Sequence, residues 1–600
     1  MKTIFGATCF VWASWAAALV ASPSVAADGL VAGGGASALT SEAAFSFDLP
    51  AGPQFSDEQK VAQRESAKQV VALVLAAFSN GLDAVRIPPG DYRFGKERWG
   101  RDGAEHALTF KGLRRDRAHP FTIDATGATF WFDLPDDQAP HAHFALGFRE
   151  CSNLIFRGAT LDRGTRGHVE GRITAIDVAS NRIEIQLSPG LAVPATFNGK
   201  LEQRVLPFKA DGRFCAPLYT LQKGGTHLKY TTITPSGAAG RYFVNMGDRA
   251  LLDTIRDAQW LRRYDGLGTL EVGDGLSCVY AVSCSVELIR CERVTMVGLK
   301  VYIPKGWGAE WGGAGGHVWR DCYFGPRPGT SQWQGGEGFM FCATRYGTTL
   351  DGIVMRHTGD DVANFHGYWG HVEGLASNRV AFARSGEFDR TLGRDLMAGD
   401  RLLFRERNTG TPLGEAFVVR AEGSAVFADR PVEVFTNAIV QFPDHECAGW
   451  MVKRCDFRDN YQRLLIQSGP GTVSNCVFAR QGNGIEINSD FPYVEGGVAR
   501  DITITGNAFV DVNPQPRGAA ISMHTHTYNG GSPAFSNIVI TGNTFVRPGS
   551  VAVRLDSFHG GLISSNRFEQ TALPPVELKR CVDVHEENNT VVDGRDQASL

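Results

Sequence analysis

Two adjacent carboxylates, Asp360 and Asp361, lie in the segment HTGDDVANFHG at residues 357–367. A third acid, Glu337, precedes them by 23 and 24 positions, about one turn of the repeat described below. Carboxylates held close together do not all ionise normally, because repulsion and partial burial raise at least one pKa. A protonated and an ionised carboxyl in one site form the acid–base pair that glycoside hydrolysis requires. Neighbouring residues of an ideal strand point to opposite faces, so both aspartates reach one groove only if the chain bends, which Gly359 permits.

Simpler interpretations of these acids remain open. Gly-Asp-Asp is also a common turn sequence, in which aspartate side chains accept hydrogen bonds from backbone N–H groups. A calcium site would need six or more oxygen ligands, and no regular ladder of aspartates supports one. His524 and His526 share a strand face, but two histidines without a third ligand do not predict a metal site. We therefore expect no metal site.

Several residues after the acids suit contacts with a sugar. Asn364 and His366 provide hydrogen-bonding groups for hydroxyls. Trp369 provides a ring that can stack on a pyranose. Weaker candidates for the same stacking role are Trp307, Trp311 and Trp333.

The elements that must position these residues are written as near-repeats. Apolar residues alternate, a Cys or Asn follows, and a Phe stands two positions later. Alternation with a period of two indicates strands, and recurrence every two to three dozen residues or so indicates a solenoid. The sequence predicts an all-β fold, a right-handed parallel β-helix with interior Asn and Phe ladders. The repeated pairs are Cys322/Phe324, Cys455/Phe457, Cys476/Phe478, Asn507/Phe509, Asn543/Phe545 and Asn566/Phe568.

The two ends and the interruptions of the solenoid can also be predicted. An exposed apolar end needs a cover, and residues 56–81 are typical of an amphipathic helix with Ser56 as its N-cap. Two other stretches alternate as antiparallel hairpins and predict small, barrel-like β inserts. The predicted divisions are a signal peptide at 1–26, the cap and first rungs at 27–167, an insert at 168–275, rungs carrying the acids at 276–391, a second insert at 392–440, and C-terminal rungs at 441–600.

The N terminus and the composition bear on location and partners. One early Lys, an apolar run and the small residues Ser24-Val25-Ala26 are typical of a cleaved signal peptide, which predicts a periplasmic or extracellular protein. No later segment has the apolar length to span a bilayer. The formal net charge of -4 shows no basic excess, so nucleic acid is not an expected partner.

Cysteine usage indicates thiols rather than a disulfide framework. Cys9 lies in the signal segment, and an odd number of the 12 cysteines remains, so at least one mature thiol is unpaired. Ladder cysteines are expected to act as small buried hydrophobic residues. The spacing of Cys278, Cys284 and Cys291 fits no standard zinc pattern.

Four segments together resemble glycoside hydrolase family 110, the α-galactosidases that remove terminal α-1,3-linked galactose. They read GEGFMF, HTGDDVANFHG, DNYQRLLIQSGPGTVSNCVF and NGIEINSDFPYVEGGVARDITITGNAF. The likeness covers most of the chain, and the motif Asp-Asp-x-x-Asn-x-His-Gly is its most specific part. It implies a parallel β-helix with small β-barrel inserts, an inverting mechanism without a cofactor, and a glycan ending in α-galactose as substrate.

Carried over by position, the resemblance assigns site residues. Asp360 and Asp361 match the family's paired catalytic aspartates, and Glu337 falls where the family has a further catalytic Asp. We expect Asp360 to be the acid and the other two to lie on the water side, with the exchanged roles left open. The resemblance also places these substrate-binding residues: Asn364, His366, Arg463, Asp490 and Glu495.

The chain departs from the family pattern in one place. Where the family reads Asp-x-x-His, this chain reads Glu337-Gly-Phe-Met340. One carboxylate is therefore longer by a methylene, and a thioether replaces an imidazole. Either the substrate differs from the usual galactoside or the activity is weaker.

Two other functions remain open at this stage. A pectin-type hydrolase or lyase also uses aspartates on successive rungs, but it needs basic residues for uronate carboxylates, and no Arg-x-Lys motif follows the acids. A non-catalytic glycan-binding solenoid would bind without cleaving, an alternative that the departures at Glu337 and Met340 keep open. The sequence specifies neither the linkage nor the oligomeric state.

Overall fold

The protein forms a parallel β-helix in a computed structural model of the full chain. The described residues are 47, 55–95, 105–133, 143–163, 168–191, 193, 200–201, 205–213, 215, 231–245, 270–279, 283–302, 308–330, 337–382, 395–407, 411–423, 425–433, 435, 438–489, 495–512, 519–525, 535–548, 551–571 and 574–592.

One α-helix, α1 (Asp57–Ser79), precedes the strands. The strands up to the end of the first insert are β1 (Ala84–Arg86), β2 (Gly90–Phe94), β3 (Glu105–Lys111), β4 (Phe121–Asp124), β5 (Ala128–Phe132), β6 (His143–Arg149), β7 (Ser152–Arg157), β8 (Thr160–Arg163), β9 (His168–Asp177), β10 (Arg182–Leu187), β11 (Lys200–Leu201), β12 (Val205–Phe208), β13 (Thr231–Pro235), β14 (Arg241–Asn245) and β15 (Gly275–Val279).

The central strands follow, up to the end of the second insert. They are β16 (Ser283–Ile289), β17 (Glu292–Val297), β18 (Lys300–Val301), β19 (Gly308–Trp311), β20 (Val318–Arg320), β21 (Tyr323–Phe324), β22 (Phe339–Cys342), β23 (Thr349–Asp351), β24 (Val354–Arg356), β25 (Ala363–Ala376), β26 (Arg379–Phe382), β27 (Arg401–Glu406), β28 (Pro412–Glu422), β29 (Ala425–Ala428) and β30 (Ala438–Gln441).

A 3-10 helix (Pro443–His445) leads into the C-terminal strands. These are β31 (Trp450–Lys453), β32 (Asp456–Arg458), β33 (Leu464–Gln467), β34 (Gly471–Ser474), β35 (Val477–Gln481), β36 (Ile485–Ser489), β37 (Glu495–Gly496), β38 (Arg500–Thr505), β39 (Ala508–Val512), β40 (Ala519–Thr525), β41 (Phe535–Thr541), β42 (Thr544–Val546), β43 (Val551–Asp556), β44 (Phe558–Ser564), β45 (Arg567–Glu569), β46 (Val576–Lys579), β47 (Val582–Glu587) and β48 (Thr590–Val592).

Three parallel sheets run along the β-helix. Sheet A contains β1, β4, β7, β17, β20, β23, β31, β34, β38, β41, β44 and β47 in that order, and sheet B contains the strand that follows each of these. Sheet C closes each rung with β3, β6, β16, β19, β22, β25, β33, β36, β40, β43 and β46. The chain thus cycles through A, B and C, as the strand periodicity predicts.

The interior of the helix is built from the repeated residues. Rings of the phenylalanine ladder stack from rung to rung, with centroids 4.9 Å apart between Phe478 and Phe509 and 4.8 Å apart between Phe509 and Phe545. In the adjacent turn, the Asn507 N–H donates to Asn543 Oδ1 over 2.9 Å, and each amide of this ladder is satisfied by the next. The predicted Phe and Asn ladders are confirmed.

Helix α1 covers the N-terminal end of the β-helix. Ser56 Oγ accepts from the Gln59 N–H, and Gln59 Oε1 accepts from the Ser56 N–H, which together make a capping box. Val70 and Val74 are buried against the first rung. The predicted capping helix and its N-cap are confirmed.

Both predicted inserts are antiparallel. The first contains β9 to β15 in one seven-stranded sheet and enters between a sheet B strand, β8, and a sheet C strand, β16. The second contains β26 to β30, and the antiparallel pairing begins within β25, where Val372 pairs with Phe382. Its strands therefore start before residue 392 of the sequence-based division.

The described cysteines lie in the core as thiols. Ten of them are free, and nine of these are buried, including Cys278, Cys291, Cys322, Cys455 and Cys476. Within the described part of the chain, no group of three or more His, Cys, Asp or Glu side chains could hold a metal ion. Among the helices described, none has the length and apolar character to cross a membrane.

Candidate active site

The two aspartates lie in the turn that joins sheet B to sheet C. Strand β24 ends just before His357, whose left-handed backbone has a φ of 59°, and β25 begins two residues after Asp361. The Thr358 N–H donates to Asn460 Oδ1 over 3.0 Å. The next rung therefore fixes the start of the turn that carries Asp360 and Asp361.

Glu337 lies on the preceding rung at the equivalent position. Phe339 pairs with Ala363 in the parallel register of β22 and β25. The Gly338 N–H donates to the Asp361 carbonyl oxygen over 2.7 Å, which extends this contact toward the turn. The same register places Glu337 opposite Asp361, one rung away, as the spacing of the acids predicts.

Asp361 is a buried acid that keeps its proton at neutral pH. Only 5% of the residue is exposed. Burial raises the pKa of Asp361 to about 8; Arg463 opposes the shift, and the charges of Asp360, Glu486 and Glu495 reinforce it. Asp360 itself is half-buried. The turn thus combines a buried acid, Asp361, with a partly exposed one, Asp360.

Arg463 connects Asp361 to a carboxylate that sequence reasoning missed. Its Nε lies 3.4 Å from Asp361 Oδ1, and its Nη1 lies 3.1 Å from Glu486 Oε2. Glu486 is 4% exposed and also accepts from Asn488 Nδ2 over 2.8 Å. The signal for Glu486 was present in the sequence, because an acid between Ile485 and Ile487 on a strand must point outward when they point inward.

Asn364 and Glu495 contact each other across the site. Asn364 Nδ2 donates to Glu495 Oε2 over 3.3 Å, and Tyr368 pairs with Glu495 where β37 runs antiparallel to β25. Trp369 is 1% exposed, and its Nε1 donates to the Glu495 carbonyl oxygen over 3.1 Å. A ring buried to this extent presents no face on which a sugar could stack. Trp369 therefore supports the strand pairing beside the site, in contrast to the stacking role expected for it.

The outward face of sheet C carries buried hydrogen-bond acceptors. His366 Nδ1 lies 2.8 Å from the Gly367 carbonyl oxygen, which can only accept, so Nδ1 bears the proton and Nε2 of the neutral ring is an acceptor. His366 pairs with Gln467 in the register of β25 and β33. Within the described residues, Asn364 Oδ1, His366 Nε2 and Gln467 Oε1 are buried without a hydrogen-bond partner. Hydroxyl groups are donors, so these three acceptor atoms are suited to binding them.

The remaining predicted residues fall outside this group. Asp490 lies outside the described residues, as do Trp307, Trp333 and His526. Trp311 packs against the core of the second insert, together with Met340. The structure thus brings together the turn with Asp360 and Asp361, the equivalent position of Glu337, and the neighbouring residues Asn364, His366, Arg463 and Glu495.

No protein-family model matches the sequence, and no curated protein matches it. Solved structures with a similar chain path include an exopolygalacturonase from Thermotoga maritima, with 11% identity, a TM-score of 0.33, and coverage of 87% of this chain and 96% of that one. A mannuronan C-5 epimerase module from Azotobacter vinelandii has 10% identity, a TM-score of 0.30, and coverage of 87% and 95%.

A tailspike protein of an E. coli bacteriophage, in complex with a pentasaccharide, is similar over 91% of this chain and 62% of its own, with 9% identity and a TM-score of 0.36. Similarities of this strength carry no argument about chemistry. The site must therefore be interpreted from its own residues.

Proposed function

We propose that the protein is an inverting glycoside hydrolase that removes a terminal neutral sugar, with α-linked galactose as the expected one. The observation that carries the proposal is the placement of Asp361, a buried acid with a pKa of about 8, next to the half-buried Asp360 and opposite the half-buried Glu337 of the preceding rung. An inverting glycosidase needs one carboxylic acid for the leaving oxygen and one carboxylate for water. This turn offers both.

The protonation states favour Asp361 as the acid. The carboxyl that still holds its proton at neutral pH can donate it to the glycosidic oxygen. Either Asp360 or Glu337, which both reach solvent, then deprotonates the attacking water. This assignment exchanges the roles expected from the sequence for the two aspartates.

The acceptor groups support a neutral sugar over a uronate. Asn364 Oδ1, His366 Nε2 and Gln467 Oε1 can accept from sugar hydroxyls, which are donors. A uronate carboxylate next to these atoms would find no donor among them, and burying an unpaired anion is costly. The cation nearest to the acids, Arg463, already lies between Asp361 and Glu486. This arrangement counts against a pectin-type activity.

The resemblance of the motif Asp360-Asp361-x-x-Asn364-x-His366 to family 110 supports galactose as the sugar and an α-1,3 linkage. The fold supports the same proposal, because that resemblance implies a parallel β-helix with small β inserts. The signal-like N terminus supports export to the periplasm or the medium. A soluble glycan end would be accessible there.

The proposal is tested by NMR of the anomeric protons while the protein acts on an α-1,3-galactosyl oligosaccharide. We expect β-galactose to appear first, and Asp361→Asn to lower the rate by about 10²–10⁴-fold because it removes the acid. Asp360→Asn and Glu337→Gln should lower it as well. The matched control is Glu577→Gln, which changes a Glu–Arg pair on the same sheet at Arg554.

Three outcomes would overturn parts of the proposal. Release of α-galactose first would exclude inversion. Binding of the oligosaccharide without release of any sugar, also across a panel of other α-glycosides, would exclude the hydrolase and support a glycan-binding solenoid. An equal rate in wild type and Asp361→Asn would remove Asp361 from the reaction.

A further inference from the structure

The carboxylate of Glu486 is held as an anion next to the acids. It is 4% exposed and accepts from Asn488 Nδ2 over 2.8 Å and from Asn483 Nδ2 over 3.4 Å. Arg463 Nη1 lies 3.1 Å from Glu486 Oε2. A buried carboxylate surrounded by donors and a cation is stabilised in its charged form. Glu486 is therefore an anion in contact with Arg463.

The guanidinium of Arg463 is closer to Glu486 than to Asp361. Its distance to the Glu486 carboxylate is 3.1 Å, and its distance to Asp361 is 3.4 Å. A guanidinium can pair with two carboxylates, but each anion reduces the stabilisation that the cation gives to the other. Glu486 thus competes with Asp361 for the same positive charge.

We propose that Glu486 is a positioning residue for the reaction, which holds Arg463 between two carboxylates and so leaves the proton on Asp361. This inference rests on the proposed function, in which Asp361 is the acid. Glu486 makes no contact with substrate in this role. It acts through Arg463 and through its own charge.

The charged groups around Asp361 come from every neighbouring element. Asp360 lies in the same turn, and Glu337 lies on the preceding rung. Arg463 and Glu486 lie on the following rungs, and Glu495 approaches from β37. Burial and the anions Asp360, Glu486 and Glu495 raise the pKa of Asp361, and Arg463 lowers it. If one of these anions is removed while Arg463 stays, the ionised form of Asp361 must therefore become more favourable.

The test is the pH dependence of kcat/KM in Glu486→Gln. With Glu486 neutral, the positive charge of Arg463 is no longer shared with Glu486 and stabilises ionised Asp361 more, so the alkaline limb of the profile should move down by about 1–3 pH units. Activity should persist on the acid side of the new limb. Arg463→Gln should move the limb in the opposite direction, because the cation is lost and Glu486 stays. Glu486→Asp, which keeps the charge, should restore most of the profile.

A merely structural role predicts a different result. Loss of packing would lower kcat/KM equally at every pH and leave the limb in place, and that outcome would overturn the proposal. If Glu486→Gln does not fold, Arg463→Gln becomes the deciding variant. An alkaline limb that does not move up in Arg463→Gln would also overturn the proposal. Glu577→Gln, which removes an anion from the Arg554 pair on the same sheet, should leave the limb unchanged.

A second measurement separates this inference from the proposed function. Difference infrared spectroscopy detects the protonated carboxyl of Asp361 without substrate, as a band that Asp361→Asn removes. This band should titrate at lower pH in Glu486→Gln than in wild type. A shifted band in a protein that cleaves no glycoside would retain the effect of Glu486 on the proton of Asp361 and exclude the hydrolase. An unshifted band in a protein that cleaves the glycoside would exclude the effect of Glu486 on Asp361 and retain the hydrolase.

Discussion

At the scale of single residues, a buried acid lowers the stability of the folded protein wherever it must ionise. Asp361 has a pKa of about 8 in the folded protein, whereas an unperturbed aspartate has a pKa of about 3.9. The folded state binds this proton more tightly, so stability falls as the pH rises between these values. We expect Asp361→Asn to unfold at a higher temperature than wild type at about pH 8 and at a similar temperature at about pH 4.

The comparison needs thermal unfolding of both proteins across this pH range. Glu577→Gln is the control, because an exposed ion pair contributes about 0–1 kcal/mol and should give a small, constant difference. A constant difference for Asp361→Asn as well would contradict a raised pKa. Lost activity combined with gained stability would identify Asp361 as a residue retained for chemistry.

Residue types and spacing predict a large part of the candidate site. The 24-residue separation of Glu337 and Asp361 matches the register of neighbouring rungs in the structure. Glu486 was missed because alternation identifies its outward face but not its contact with Arg463. The burial of Trp369 could not be foreseen, since it depends on the pairing of β25 with β37 across more than a hundred residues of sequence.

At the scale of elements, the asparagine ladder satisfies backbone groups between rungs. Asn543 Oδ1 accepts from the Asn507 N–H over 2.9 Å, and Asn543 Nδ2 donates to the Ile504 carbonyl oxygen over 3.0 Å. Asn543→Ala leaves both backbone groups buried without these partners, at about 1–3 kcal/mol each. We expect it to lower the urea midpoint of unfolding clearly.

The chain itself suggests a milder replacement for Asn543. Cys476 occupies an equivalent ladder position, and its Sγ accepts from the Cys455 N–H over 3.4 Å. Asn543→Cys should therefore lower the urea midpoint less than Asn543→Ala does. Thr503→Ala, on the outward face of sheet A, serves as the control and should change stability by about 0.5 kcal/mol or less. Equal losses in the cysteine and alanine variants would contradict the ladder argument.

The repeated elements were predictable because every rung repeats the same local pattern. The capping helix, the Phe and Asn ladders and both inserts follow from periodicity and turn residues. The start of the second insert was harder to predict. The single strand β25 belongs to sheet C in its first half and to the insert in its second, so its sequence shows no break at the transition.

At the scale of the whole molecule, one buried carboxylate, Asp400, helps to attach the second insert to the β-helix. Asp400 accepts from Arg345 over 2.8 and 2.7 Å, lies 3.0 Å from His445 Nε2, and accepts from the Met397 N–H over 2.7 Å. Burial alone would raise its pKa, but the bonds from His445, Met397 and Arg345 lower the pKa of Asp400 to about 2. The insert core also includes Tyr368 of the strand that carries Asn364. Attachment of the insert therefore bears on the site.

Asp400→Asn tests this attachment. The folded pKa of Asp400 lies below the value of about 3.9 in the unfolded chain, so its stabilisation is fully present above about pH 5 and is lost as the pH falls toward 2. The variant should lose about 2 kcal/mol of unfolding free energy at neutral pH, and the difference from wild type should shrink in acid. Urea unfolding at several pH values measures it, with Glu577→Gln, at the exposed pair with Arg554, as the control. A loss that stays constant down to about pH 3 would mean that the carboxylate charge does not hold the insert.

If the charge does hold the insert, hydrogen exchange in β25 should increase at neutral pH in Asp400→Asn, because the second half of that strand belongs to the insert.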